Sequence, residues 1–190
     1  GSIILCASLV VGVLSLTGLG VKITSGILSL SNDMLWPALL LTALACLILG
    51  MEVPTTAAYV ICVSVAGPAL TSLGLEPLLA HLFVFWYALL STITPPVCGG
   101  VFIAAGMVGE NWLKVAFKAM ALGIGLYIIP LAMVANPEMI QLAFNPSGAL
   151  LYALKVAIGL GAISYGVIAR KALWQRSALA VGGIILIFVV

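Results

Sequence analysis

Long apolar runs, each interrupted by a few polar residues, organise this chain. Ile3 to Leu19 predicts a first membrane span, and Gly20 to Asp33, carrying Lys22, Ser25, Ser29, Ser31, Asn32 and Asp33, reads as a connection outside the membrane. Ser31-Asn32-Asp33 offers capping oxygens for the helix expected next. Leu35 to Gly50 is apolar again, yet as a helix it would cover only about 24 Å of a hydrocarbon core about 30 Å thick. A polar tip follows at Gly50-Met51-Glu52-Val53-Pro54-Thr55-Thr56, then Ala57 to Leu73 is apolar, and Gly74-Leu75-Glu76-Pro77 is a turn. Residues 35–73 therefore read most economically as a re-entrant helical hairpin that turns near the mid-plane. The alternative is two short spans joined by a tight external turn.

Leu78 to Met107 would measure about 45 Å as one unbroken helix, too long for an ordinary span. Pro95 and Pro96 resolve the excess. Neither has an N–H, so the carbonyls of Ser91 and Thr92 lose their helical donors. Thr94, ahead of a proline, is pushed out of helical geometry. The helix should unwind around Ile93–Thr94 and restart near Pro96. Trp112 to Val134 is the next span, Asn136 to Pro146 a loop, Ser147 to Ile168 another span, and the last apolar stretch begins near Ser177. Three segments result: 1–34, a first span read as truncated, with its connection; 35–108, with the hairpin (35–73) and the broken helix (78–107); and 109–190, the closing spans, the last also read as truncated.

Composition settles the class. The chain is 64% hydrophobic and 6% charged, where soluble domains carry about 25% charged residues. This is an all-α integral membrane protein of several spans. Its seven Lys and Arg are scattered and form no nucleic-acid-binding patch. Cys6, Cys46, Cys62 and Cys98 stand alone in apolar segments beside a single histidine, His81, which suits buried helix contacts better than a metal site. Gly1-Ser2, without Met or a charged region, does not read as a signal peptide. With the hairpin returning to its own side, Lys114, Lys118, Arg170, Lys171 and Arg176 fall on one side of the membrane with one acid, Glu110, and Lys22, Asp33, Glu76 and Glu138 on the other. The basic side is the cytoplasmic one, which puts the hairpin mouth on the outer face.

Broken helices concentrate charge without charged side chains. An arm ending at Gly50 presents carbonyls, and an arm starting after Pro54 presents N–H groups. Carbonyls with threonine hydroxyls suit sodium; N–H groups with hydroxyls suit a substrate carboxylate. The interruption at Ser91-Thr92-Ile93-Thr94-Pro95-Pro96 repeats the arrangement, and the two should meet in space to enclose one ion. The candidate ion- and substrate-binding residues are Gly50, Glu52, Thr55, Thr56, Ser91, Thr92, Thr94, Pro95 and Pro96, with sodium assigned to Gly50, Thr55, Thr56, Thr92 and Thr94. Glu52 either ligates a cation or is a solvated acid at a helix N-terminus. Lys155, in mid-span, either binds an anion or snorkels. No acid pair or nucleophile–base pair stands out, so an enzyme is not expected, and no cofactor beyond the coupling ion is implied.

Four stretches carry a family resemblance: Val10-Val11-Gly12-Val13-Leu14-Ser15-Leu16-Thr17-Gly18-Leu19-Gly20; the tip Gly50…Pro54-Thr55-Thr56-Ala57-Ala58-Tyr59; Ala80-His81-Leu82-Phe83-Val84-Phe85; and Ile93-Thr94-Pro95-Pro96-Val97. Together with the late Trp174-Gln175-Arg176 they resemble the C-terminal part of a TRAP (tripartite ATP-independent periplasmic) transporter permease, nearest to the fused permeases of TAXI-type binding proteins. The resemblance implies half of an inverted-repeat, elevator-type symporter in a bacterial or archaeal cytoplasmic (inner) membrane. It implies an extracytoplasmic solute-binding protein that delivers a small organic acid, with sodium or protons driving import. It places Gly50, Thr55 and Thr56 at a hairpin tip and Thr94, Pro95 and Pro96 at an unwound helix. The matching N-terminal half would then be a necessary partner. The chain departs from the family at Glu52, where glycine is usual, and at Cys98-Gly99-Gly100. Two other readings remain: a different hairpin-bearing anion symporter, and a non-transporting scaffold, which would keep continuous helices through 50–56 and 91–96.

Overall fold

The computed structural model describes residues 2–51, 53–96, 98–141, 144–168 and 173–189. The regular elements among them are all helical, and they form two compact units, Gly1–Trp112 and Leu113–Val190. Thr55–Ser72 and Pro146–Ile168 are each long and apolar enough to cross a bilayer. Two bent pairs, Ser8–Leu16 with Leu19–Ser31 and Trp112–Leu122 with Ile124–Ala135, pass the same test jointly. The fold is that of an all-α membrane protein.

In the first unit, α1 (Ser2–Leu16) and α2 (Leu19–Ser31) meet at 71°. The bend sits at Gly18, whose φ of 64° is open to glycine at little cost. The expected connection at Gly20–Asp33 is thus mostly helix. Its polar residues Lys22, Ser25 and Ser29 fall on one stripe of an amphipathic helix, while Ile27 and Ser31 are buried on the other side. The Thr24 hydroxyl donates to the Val65 carbonyl at 2.6 Å. Ser31-Asn32-Asp33 ends this helix rather than capping the next. Asn32 takes a left-handed conformation with φ 49°, and α3 (Leu35–Leu49) starts from Met34 without a side-chain cap.

The core lies where α3, α4 (Thr55–Ser72) and α5 (Pro77–Leu90) pack together. Small residues on α4 (Ala57, Ala58, Cys62, Ala66, Ala69) let its neighbours approach, and Leu39, Val65, Leu70, Phe83 and Val84 fill the space between. The chain reverses after α3, so Cys62 on α4 lies 3.7 Å (Sγ) from the Cys46 carbonyl. Cys46, Cys62 and Cys98 are buried as expected; Cys6 is exposed. His81 accepts or donates at Nδ1 with the Tyr59 hydroxyl, 2.7 Å away, and Phe85 meets Tyr59 edge-on at 5.6 Å, so this histidine fastens α5 to α4. The unit closes with α6 (Gly99–Val108).

The second unit holds α7 (Trp112–Leu122, whose first residue belongs to the first unit) and α8 (Ile124–Ala135). The single span expected at Trp112–Val134 bends by 42° between them, at Gly123. A 3₁₀ turn at Pro137–Ile140 leads toward α9 (Pro146–Ile168) and α10 (Leu173–Phe188), which starts four residues earlier than the apolar pattern suggested. The last two helices touch through glycines. A Cβ on Gly183 would stand 2.6 Å from the Gly159 carbonyl oxygen. Arg176 donates from Nε to the Gly166 carbonyl (3.0 Å) and from Nη2 to that of Val167 (2.8 Å), capping α9. Buried Asn136 donates to the carbonyls of Ala132 and Ile187, each at 3.0 Å, and accepts from Lys155 Nζ at 3.0 Å. Lys155 therefore balances the negative carbonyl ends of α8 and α10. Arg170 and Lys171 of the basic cluster lie outside the described residues.

Candidate functional site

Two interruptions build the site, and each follows from residues that cannot continue a helix. At the first, the Gly50 amide closes α3 on the Cys46 carbonyl (2.9 Å), and Met51 and Val53 make tighter turns onto Ile48 and Gly50. Pro54 is extended (φ −54°, ψ 138°), and α4 begins at Thr55. The Ala58 amide bonds back to the Pro54 carbonyl at 2.9 Å. The amides of Thr55, Thr56 and Ala57 therefore precede the first intrahelical bond.

At the second interruption α5 tightens over Ser91, Thr92 and Ile93, whose amides bond to Tyr87, Leu89 and Leu90 at 3.2, 3.3 and 3.1 Å. The Thr92 hydroxyl donates to the Leu89 carbonyl (2.9 Å) and that of Thr94 to Leu90 (2.7 Å). Pro95 and Pro96, joined by a cis bond, supply no amide. The restart falls at Gly99, three residues beyond the expected Pro96. Buried Cys98 is its N-cap, and the amides of Val101 and Phe102 converge on the Cys98 carbonyl at 3.0 and 3.1 Å.

The interruptions touch. The fully buried Ser91 hydroxyl lies 2.9 Å from the Gly50 carbonyl and 2.7 Å from that of Ala88. Contact is close enough to dictate glycine at 50. A Cβ there would meet Ser91 Oγ at 2.6 Å and both Ser91 Cβ and the Cys46 carbonyl at 3.0 Å. Beside this junction an open depression of about 290 Å³ is lined by Val53 and exposed Pro54 of the first interruption, Thr92 of the second, and Gly99 and exposed Gly100 at the start of α6. A larger groove, about 430 Å³, separates α1 from the tip, but its walls are residues such as Leu14, Leu49 and Ile61, with few polar groups to orient a charged ligand.

Among the sequence-derived candidates, Gly50 and Ser91 are in contact and Thr92 lines the depression. Thr55 (half-buried) and Thr56 (exposed) sit on the first turn of α4, and Thr94, Pro95 and Pro96 stand on the second interruption, outside the lining. Glu52 lies outside the described residues. Sequence reasoning overlooked Gly99 and Gly100 as part of the lining. A glycine pair just after Pro-Pro, at a helix restart, was the signal.

A family model, Tripartite ATP-independent periplasmic transporter, DctM component, matches residues 1–147. No curated protein and no solved structure matches the chain.

Proposed function

Because this chain belongs to the DctM component family of tripartite ATP-independent periplasmic transporters, we propose that its two interruptions hold the coupling ion and the organic acid of a secondary importer. Family membership makes the chain a multi-pass transport permease component whose system includes an extracytoplasmic solute-binding protein. The finer reading is ours: import of a small organic acid into a bacterial or archaeal cell across the cytoplasmic membrane, driven by sodium or protons. In it the 35–73 hairpin is re-entrant, and a matching N-terminal half completes the permease.

The observation that carries this reading is the contact between Ser91 and Gly50. Ser91 has one hydroxyl proton and two carbonyls within reach. With the proton on the Ala88 carbonyl, the Gly50 oxygen and a lone pair of Ser91 Oγ are both available to a cation. Oxygen ligands of this kind suit sodium, and the hydroxyls of Thr55, Thr56, Thr92 and Thr94 are the further donors. The substrate carboxylate belongs in the neighbouring depression, where the first-turn amides of α6 at Gly99 and Gly100 supply donors and a positive dipole end, and α4 starts just after the lining residue Pro54. The scaffold alternative called for continuous helices through 50–56 and 91–96, and the observed turns disfavour it.

Uptake of radiolabelled organic acids by the complete permease and its binding protein in proteoliposomes tests the proposal. An inward sodium or proton gradient should drive accumulation. Under a sodium gradient, Ser91→Ala and Thr94→Val should raise the half-saturating sodium concentration about tenfold, the effect of losing about 1.4 kcal/mol of ion binding. Uptake indifferent to both gradients would overturn the coupling, and unchanged ion dependence in both variants would remove the ion from this site.

A further inference from the structure

We infer that the exposed face of α7 docks on anionic phospholipid headgroups at the basic end of the second unit. Depth within that unit can be read from its own contacts. With 23 residues, α9 is about 34 Å long and covers a hydrocarbon core about 30 Å thick from edge to edge. α8 runs antiparallel to it. Asn136, just after α8, meets Lys155 near the middle of α9, and a Cβ on Gly125, the second residue of α8, would lie 3.4 Å from Ser164 Oγ. Ser164 is four residues from the end of α9, so α8 starts close to one edge of the core. The 42° bend between α7 and α8 redirects the chain without reversing it. α7 therefore continues past that edge and into the headgroup layer.

This end of the unit is the basic one. Arg176 caps the Gly166 and Val167 carbonyls there, and α7 adds Lys114 and Lys118. Glu110, two residues before α7, offsets part of this charge, while Glu138 lies in the 3₁₀ turn beyond the other end of α8. An excess of Lys and Arg marks the cytoplasmic face, whose leaflet carries anionic lipids.

The surface of α7 suits a headgroup layer better than bulk water. Lys114 and Lys118, four residues apart, share one exposed stripe. Leu113 and Phe117 flank it on one side and Leu122 on the other, and all are exposed. Ala116, on the opposite face, is the one buried residue of the helix. The main helix packing of the unit joins α8, α9 and α10 and leaves the lysine stripe open. A basic stripe between exposed apolar flanks belongs at a membrane interface, where the apolar side chains enter the acyl boundary and the lysine stems reach out to the phosphates. The positive charge selects the lipid, favouring phosphatidylglycerol and other net-negative headgroups over zwitterionic ones.

Photo-crosslinking tests this at α7 itself. The complete permease carries p-benzoylphenylalanine in place of Phe117, in nanodiscs with equal amounts of phosphatidylglycerol and phosphatidylcholine of the same acyl chains, and mass spectrometry identifies the adducts. Lipid should be captured, with phosphatidylglycerol favoured about five- to thirtyfold at low salt, the range for one to two lysines near an anionic surface. High salt should reduce the preference. Lys114→Gln combined with Lys118→Gln should bring the ratio close to one and leave the unfolding temperature near that of the wild type, because both side chains are exposed. Adducts to protein instead of lipid, no adduct, equal capture of the two lipids by the wild type, or a preference that the double variant retains would each overturn the inference. Should the double variant not fold, Lys118→Gln decides alone: a reduced preference supports the docking, and an unchanged one refutes it.

Discussion

Ser91 and Gly50 form a side-chain-to-backbone contact whose two halves can be altered separately. Gly50→Ala drives a methyl group to within 2.6 Å of Ser91 Oγ and 3.0 Å of Ser91 Cβ. Overpacking of this kind costs about 1–3 kcal/mol. A lower unfolding temperature and loss of ion-driven uptake are the expected outcomes. Adding Ser91→Gly removes both offending atoms and should recover part of the unfolding temperature, but not uptake, because the hydroxyl goes with them. If the double variant is no more stable than Gly50→Ala alone, the strain lies against the Cys46 carbonyl, the third close contact, and not against Ser91. The types of residue needed here were legible from sequence, since glycine, threonine and proline inside an apolar run all weaken a helix and so mark where it breaks. That Ser91 would reach the Gly50 carbonyl was not, because sequence spacing does not reveal how α5 crosses the tip. Gly100 was missed for a related reason. A glycine shows in sequence, but whether its absent side chain borders a neighbour or a depression is a matter of three-dimensional packing.

Elements were more legible than their junctions. The apolar runs gave α3, α4 and α9 to within a residue or two, because length and hydrophobicity decide a helix in a membrane protein. Bends escaped, since Gly18 and Gly123 sit within runs whose hydropathy does not change. The stretch 20–33 escaped because Lys22, Ser25 and Ser29 lower its hydropathy while falling on a single helical face. That helix is held to α4 by the Thr24–Val65 bond, one turn before Pro68, which has no N–H and leaves the Ser64 carbonyl without its helical donor. Thr24→Val keeps the shape and removes the donor, and should cost about 1 kcal/mol in thermal unfolding. At the other end of the chain, Arg176→Met removes two charge-assisted bonds from the end of α9 and should cost about 1.5–3 kcal/mol; Arg176→Lys should recover only part, since an ammonium cannot reproduce the guanidinium fork. If Arg176→Met unfolds at the wild-type temperature, the cap adds nothing to stability.

For the molecule as a whole, the division into two units makes the location of ion binding measurable without a transport assay. Both interruptions lie in the unit Gly1–Trp112, while Asn136 and Lys155 belong to Leu113–Val190. A ligand that binds only the folded state raises stability by an amount set by its concentration over Kd, about 2.7 kcal/mol at a hundredfold excess. Sodium, but not choline at equal ionic strength, should therefore raise the unfolding temperature of the complete permease. Ser91→Ala should lower the unfolding temperature in choline only modestly and abolish most of the sodium increment. Asn136→Leu should do the opposite. It strips Lys155 of its amide acceptor and the Ile187 carbonyl of its side-chain donor, while the Ala132 carbonyl keeps the backbone amide of residue 136, at about 1.5–3 kcal/mol, yet it leaves the interruptions intact and should keep the increment. Because the two variants are expected to separate stability from ion response in opposite senses, general loosening of the fold cannot produce the pattern. An increment that survives Ser91→Ala, or that choline reproduces, would place sodium elsewhere than at the junction of Gly50 and Ser91.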